Sequence, residues 1–214
     1  MGIAGRISLL LLAGCMIAGP ATAADLKQAD RAPVGRVVRQ EGSTAILRDD
    51  IRSPLLIGTS VFTADVIETG FASRVTVLFS DGSSLSAGPE SRVQVSDYTI
   101  DAQGRRTSAL FSMLSGIVRA VVRQTGFGSF AVQTDTAVAS ARSTEWTAEI
   151  TPAATAVLGL EGVVEVRSRS TGTAVTLAPS QGTDVAAGRD PTPPVTWGAP
   201  RVDRTLRLLG PAYR

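Results

Sequence analysis

The chain has 214 residues, 43% hydrophobic, 19% charged and only 5% aromatic, with 21 Lys+Arg against 19 Asp+Glu, one Cys and no His. That length is enough to bury a substantial core. The absence of His excludes Ser-His-Asp and Cys-His relays and imidazole metal sites, and a single Cys makes neither an internal disulfide nor a thiolate cluster. No cofactor and no metal are expected.

Arg6 is the only charge before Asp25, and an apolar stretch runs from Ile7 to about Gly19. It is too short to span a bilayer, which takes about 20 residues. Pro20 breaks it, and Ala21-Thr22-Ala23 has the small-x-small form of a secretory cleavage site. Residues 1–23 read as a signal peptide cut between Ala23 and Ala24, which places the product in the bacterial periplasm. A second reading stays open: Leu12-Ala13-Gly14-Cys15 resembles a lipobox, which would make the product a lipoprotein anchored at Cys15. The apolar run continues past Cys15 through Met16, Ile17 and Ala18, which favours cleavage at Ala23.

After cleavage, 20 basic residues face 19 acidic ones, and Lys27 is the only Lys. This near-neutral balance lacks the basic excess of a nucleic-acid binder, so no nucleic-acid partner is expected. No later apolar run is long enough for a transmembrane span. Residues 24–33 form an N-terminal linker.

From Val34 to Val185 apolar and polar residues alternate, and Gly or Ser-rich breaks recur every several residues. Arg74–Phe79 reads as a strand ending at Ser80-Asp81-Gly82-Ser83, where Asp-Gly signals a hairpin turn. Leu85 resumes the pattern until Gly88-Pro89, and Ser91–Val95 follows with Val93 and Val95 on one face. Ala109–Leu114 is the one short interval that reads as helix. Ile117–Arg123 places Arg119 and Arg123 opposite Val118 and Val122. Phe130–Thr134 is another strand. In the next, Trp146, Ala148 and Ile150 share a face, with Glu145, Thr147 and Glu149 opposite. Gly162–Arg167 and Ala174–Leu177 read as a hairpin around Ser170-Thr171-Gly172. Gly35, Gly116 and Gly162 each open a strand, a weak echo without a fixed period. The expected fold is all-β, a short-stranded rolled sandwich or a β-solenoid-like stack over residues 34–187.

Residues 188–214 differ in texture. Gly188–Pro194 is a stiff Pro-rich linker, and Val202–Leu209 reads as a short helix with Val202, Leu206 and Leu209 on one side. Either this tail folds back and tucks Trp197 onto the domain, or it is a docking peptide for a partner.

The order of segments resembles the FecR domain, the periplasmic part of regulators of the ferric-citrate type. Val34-Gly35-Arg36-Val37-Val38 with Gly42 makes the opening. Gly58 to Gly70 is similar to the family's "G-x-x-V-x-x-G-D-x-I-x-T-G", and Val75 to Ser83 to its "a-x-l-x-f-x-D-G-S". Phe130–Thr134, Leu160–Val166 and Gln181–Val185 resemble three later stretches, so the likeness covers about residues 34–185. Two departures stand out. Ala141-Arg142-Ser143-Thr144 replaces the usual "V-R-G-T", and Ala64 stands where Gly is common. The resemblance implies a non-catalytic recognition or scaffold module that binds another envelope protein, a transporter or a transmembrane signalling protein. Full regulators of this family begin with a cytoplasmic anti-sigma segment and a transmembrane helix. A chain opening on a cleaved signal is not expected to reach a cytoplasmic sigma factor.

The alternative is a cell-wall or polysaccharide-binding protein, or a glycan hydrolase using carboxylates alone. Glu145 and Glu149 would be its pair, given two carboxylates about 5–10 Å apart. Few aromatics are available to stack on sugars. Asp81 could serve a calcium turn but lacks neighbouring oxygen ligands. Arg119 with Arg123, and Arg167 with Arg169, would make an anion-binding stripe only if their strands adjoin. No Gly-rich phosphate loop precedes a helix. The ligand-binding residues themselves are not legible in the sequence.

Overall fold

A computed structural model describes residues 32–125 and 128–212. Ala23, Ala24, Cys15 and the whole signal segment lie outside the described residues.

Eighteen strands are assigned among these residues. β1 (Gly35–Glu41), β4 (Ser60–Val61), β6 (Arg74–Phe79), β7 (Ser84–Ala87), β10 (Ile117–Val121), β13 (Glu145–Ile150), β14 (Ala154–Glu161), β17 (Gln181–Ala186) and β18 (Val195–Thr196) form the front sheet. β2 (Thr44–Arg48), β3 (Ile51–Pro54), β5 (Val66–Thr69), β8 (Arg92–Ile100), β9 (Arg106–Ser115), β11 (Phe130–Gln133), β12 (Ala137–Ala141), β15 (Val164–Ser168) and β16 (Ala174–Leu177) form the back sheet. The front sheet runs β18-β17-β14-β13-β10-β7-β6-β1-β4, and the back sheet β16-β15-β12-β11-β9-β8-β5-β2-β3. Every pairing is antiparallel except β9 with β11, which are parallel because β10 crosses to the front sheet between them. This is a sandwich. A solenoid would stack its strands in parallel.

The core lies between the inward faces, where apolar residues alternate as a half-buried strand requires. Val75, Val77 and Phe79 of β6 meet Val93 and Val95 of β8 and Phe111 and Met113 of β9 in one cluster that also holds Trp146. Phe79 stacks on Tyr98 at 5.0 Å, and Phe111 lies 4.7 Å from Phe130. Ala109–Leu114 is therefore strand, not helix: Ala109, Phe111 and Met113 are buried at a period of two, and β8 and β11 flank them.

Two of the three glycines of the echo, Gly116 and Gly162, mark places where the chain changes sheet. Gly116, at φ +88°, lies between β9 and β10, and a Cβ there would sit 2.2 Å from Ser91 Oγ. Gly162, at φ +72°, does the same between β14 and β15. Both corners need the left-handed region and a close backbone approach.

The tail folds back. Helix α1 (Ala199–Leu209) and Trp197 cover the outer face of the front sheet, where Ala156, Leu158 and Trp197 form a second small cluster. Trp197 is 7% exposed and lies flat against Gly182, with the Arg201 guanidinium 3.4 Å above its ring.

Candidate partner-binding edge

The polar motif residues turn inward and hold the fold. Asp65 is 1% exposed; it accepts both ends of the Arg48 guanidinium at 2.8 Å and the Phe62 amide at 2.8 Å. Arg48 in turn lies 4.5 Å over the Phe62 ring. Thr69 donates to Gly88 O and accepts from the Ser91 amide, tying β5 to the β7–β8 crossing. Asp81 caps its turn by accepting the Ser83 amide at 2.9 Å, then pairs with the fully buried Arg106. The turn is a three-residue loop whose last residue, Gly82, is at φ +79°. Ser83 Oγ donates to Asp81 and accepts from Arg106 and the Arg123 amide. Burial, with the Asp81 carboxylate as a second cause, pushes the Tyr98 phenol far above its ordinary value.

The candidate catalytic and anion-binding residues do not assemble as either chemistry requires. Glu145 is 7% exposed and lies against Arg119, its Oε1 3.6 Å from Arg119 Nε. Glu149 is held by both terminal nitrogens of Arg204 at 2.9 Å. Glu145 is thus buried against its own sheet, and Glu149, half-buried, is reached by Arg204 of α1. Arg119 and Arg123 belong to the front-sheet side, whereas Arg167 is on back-sheet strand β15, so the strands do not adjoin. Arg167 pairs with Glu165, and Arg169 donates to Thr134 O. Trp146 is wholly buried in the core. Ser143 takes a negative φ, while Ala64 is forced to φ +76°. Among the described residues no group of three or more Cys, Asp or Glu side chains converges as a metal site would need.

What remains open is backbone at the sheet edges. In an antiparallel pair the residues alternate between bonding their neighbour and pointing away from it. On β3, Leu55 N bonds Thr44 O, so Ile51 and Ser53 face β2, leaving Arg52 and Pro54 outward. Pro54 has no N–H to give. The outward carbonyl of Ser60 on β4 is taken by Arg48 at 2.8 Å. β18 is two residues long and follows Pro193-Pro194. Each of these three edges is blunted in the manner that prevents edge-to-edge pairing.

β16 is different. Ser168 N bonds Thr173 O, so Val175 and Leu177 face β15 while Ala174 and Thr176 present their N–H and C=O groups outward. Both residues are exposed, and the strand carries no charge and no Pro. Leu177 is buried, and Val175 packs against the core. A groove of about 640 Å³, lined by Ser140, Arg142, Ser143, Val163 and Glu165, crosses β12 and β15 and reaches β16 at Thr176. Asp190, in the linker after β17, is held below the usual carboxylate value of 3.8 by hydrogen bonds from Thr171 and then Thr173, in the loop between β15 and β16. The sequence marks Ala174–Leu177 as a strand, but only the strand order reveals it as an edge.

Comparison with protein families matches residues 65–165 to the family described as FecR protein, a narrower span than 34–185. Comparison with curated proteins finds no match. Among solved structures, two crystal structures of a "putative anti-sigma factor" from Parabacteroides distasonis ATCC 8503, at 1.65 and 2.50 Å resolution, superpose with a TM-score of 0.54 at 18% identity. The aligned region covers 66% of this chain and 64% or 63% of those chains, so this chain spans less than two thirds of their length. At that identity the likeness is one of fold. Asp65, Thr69, Asp81 and Ser83 all lie inside the span that matches the FecR protein family, and all are built into the sandwich.

Proposed function

We propose that the chain is a non-catalytic, regulatory recognition module of the bacterial envelope that captures an extended segment of another envelope protein along β16. The observation that carries this reading is the pair of free N–H and C=O sets at Ala174 and Thr176, on the one uncharged and unblunted edge among the described residues. An added strand there gains main-chain hydrogen bonds along the open side of β16. The FecR family is one of regulators, which supports a signalling partner, either a transporter or a transmembrane signalling protein. The arginine pairing of Glu145 and Glu149 argues against a hydrolase. Periplasmic location rests on the signal reading of residues 1–23, with lipid anchoring at Cys15 as the alternative; among the described residues no helix is long and apolar enough to cross a membrane.

The test is in-cell photocrosslinking from Ala174, with and without Thr176→Pro, followed by mass spectrometry of the adduct and of the mature N-terminus. Pro is tolerated on an edge where its nitrogen faces solvent, so Thr176→Pro keeps the fold and removes a donor. Capture of one envelope protein from Ala174, reduced at least about tenfold by Thr176→Pro, is the expected result, since each lost 1.4 kcal/mol is a factor of ten. Equal capture by both forms would overturn strand addition at this edge. A mature chain starting at Ala24 means a soluble product, and one starting at acylated Cys15 a lipoprotein.

A further inference from the structure

The outer face of the front sheet is built to receive a helix, and it does so through polar contacts at both ends of α1. Near the start of the helix, Arg201 reaches Asp184 and Arg204 chelates Glu149. Near its end the direction of donation reverses. Arg74 donates to Leu208 O at 2.7 Å and Arg207 O at 3.0 Å, Arg119 to Gly210 O at 2.8 Å, and Arg39 to Pro211 O at 2.9 Å. Three guanidiniums from strands β6, β10 and β1 thus take four carbonyls, two in the last turn of the helix and two just past its end, where the helix dipole favours cations. Between the two clamps the fit is narrow: Thr205 and Leu209 are the buried helix residues, and Val202 touches the Leu158–Trp197 cluster.

This balance of forces makes the helix separable from the sandwich. Eleven residues are marginal as an isolated helix. The ion pairs that hold the first half are exposed, with Arg201 at 42% and Arg204 at 56%, and exposed pairs contribute little. The front sheet's charges, carboxylates toward one end of the helix and guanidiniums toward the other, define the ligand they fit. It is an amphipathic helix with two Arg three residues apart, a small apolar stripe, and an open C-terminal turn.

We propose that this face is a helix-docking surface, with α1 as its resident occupant, displaced by a partner's helix of the same basic amphipathic chemistry. The face is opposite in the sandwich to the back sheet and makes no use of the β16 edge, so the two readings stand or fall separately.

The probe is a labelled synthetic peptide with the sequence of Trp197–Pro211, added to the full chain and followed by fluorescence anisotropy. The peptide is expected to bind a full chain carrying Arg201→Ala and Arg204→Ala about three- to tenfold more tightly than the unaltered chain, because weakening the resident helix removes part of the competition. Adding Glu149→Gln to that chain is expected to abolish the gain. Absence of peptide binding to every form would overturn the proposal. Hydrogen exchange on the unaltered chain gives an answer that does not depend on a variant folding. Amides of residues 201–210 are expected to exchange about tenfold faster near 1 M salt than near 0.05 M, while those of β13 stay protected, because screening weakens exposed pairs. Exchange of α1 only together with β13 at both salt concentrations would show a helix that never leaves, and would also overturn it.

Discussion

Ala64 is held at φ +76° between two fixed points, its amide on Val95 O at 2.7 Å and its neighbour Asp65 clamped by Arg48. The left-handed region costs a residue with a Cβ roughly 1–2 kcal/mol, part of which glycine returns as chain entropy on unfolding. Ala64→Gly is therefore expected to stabilise the chain by about 0.5–1 kcal/mol, read from urea unfolding midpoints; a loss of stability would mean that the conformation is not strained. Asp81 is the opposite case. Its partner Arg106 is wholly buried beneath the turn, 5.6 Å over the Phe130 ring, so removing the carboxylate strands a cation in the core. Asp81→Asn should cost about 3–5 kcal/mol, whereas replacing both partners by apolar residues should cost much less. Tyr98 borders the same cluster. Because burial raises its folded pKa above the ordinary 10, the folded chain keeps this phenol neutral where the unfolded chain would ionise it. Stability is thus undiminished below pH 10 and falls as pH rises beyond it. Absorbance titration at 295 nm should show Tyr98 ionising only as the chain unfolds, and a normal reversible titration of both tyrosines would contradict this.

At the scale of single elements, periodicity and turn chemistry were sufficient for most strands and silent on their neighbours. The alternation in Arg74–Phe79 and the Asp81-Gly82 turn announce the β6–β7 hairpin directly. Ala109–Leu114 misleads because Leu110 and Leu114 interleave with Phe111 and Met113, so the run lacks a polar face and mimics a helical stripe. The flanking strands, which no local pattern encodes, decide it. Glu145 and Glu149 sit at the expected period of two, yet each is met by an arginine, one buried and one exposed. Their partners lie far along the chain, at Arg119 and Arg204. The same limit hides the candidate site. Nothing in Ala174-Val175-Thr176-Leu177 differs from an interior strand, and its open hydrogen-bonding side follows from β16 standing last in the back sheet.

At the scale of the whole molecule the fold is three layers, of which the sandwich supplies the core and the tail supplies only a cover. Most residue contacts in the sandwich join distant parts of the chain through the sheet-changing corners, so it is expected to unfold as a unit. Besides the polar contacts at the two ends of α1, the tail is seated by one close apolar fit. Trp197 lies so close to Gly182 that a Cβ there would fall 2.1 Å from its ring, nearer than any side-chain packing allows. Gly182→Ala should therefore expel Trp197 and loosen α1, while β17 keeps its pairing with β14, because the added methyl points outward from the core. The chain has two tryptophans, and Trp146 is sealed between the sheets. Acrylamide should then quench about half of the emission in the variant and little in the unaltered chain, while strand content by circular dichroism stays the same. Quenching of both tryptophans would mean that the cover and the core fold together, and that the third layer is part of the sandwich's stability and not an addition to it.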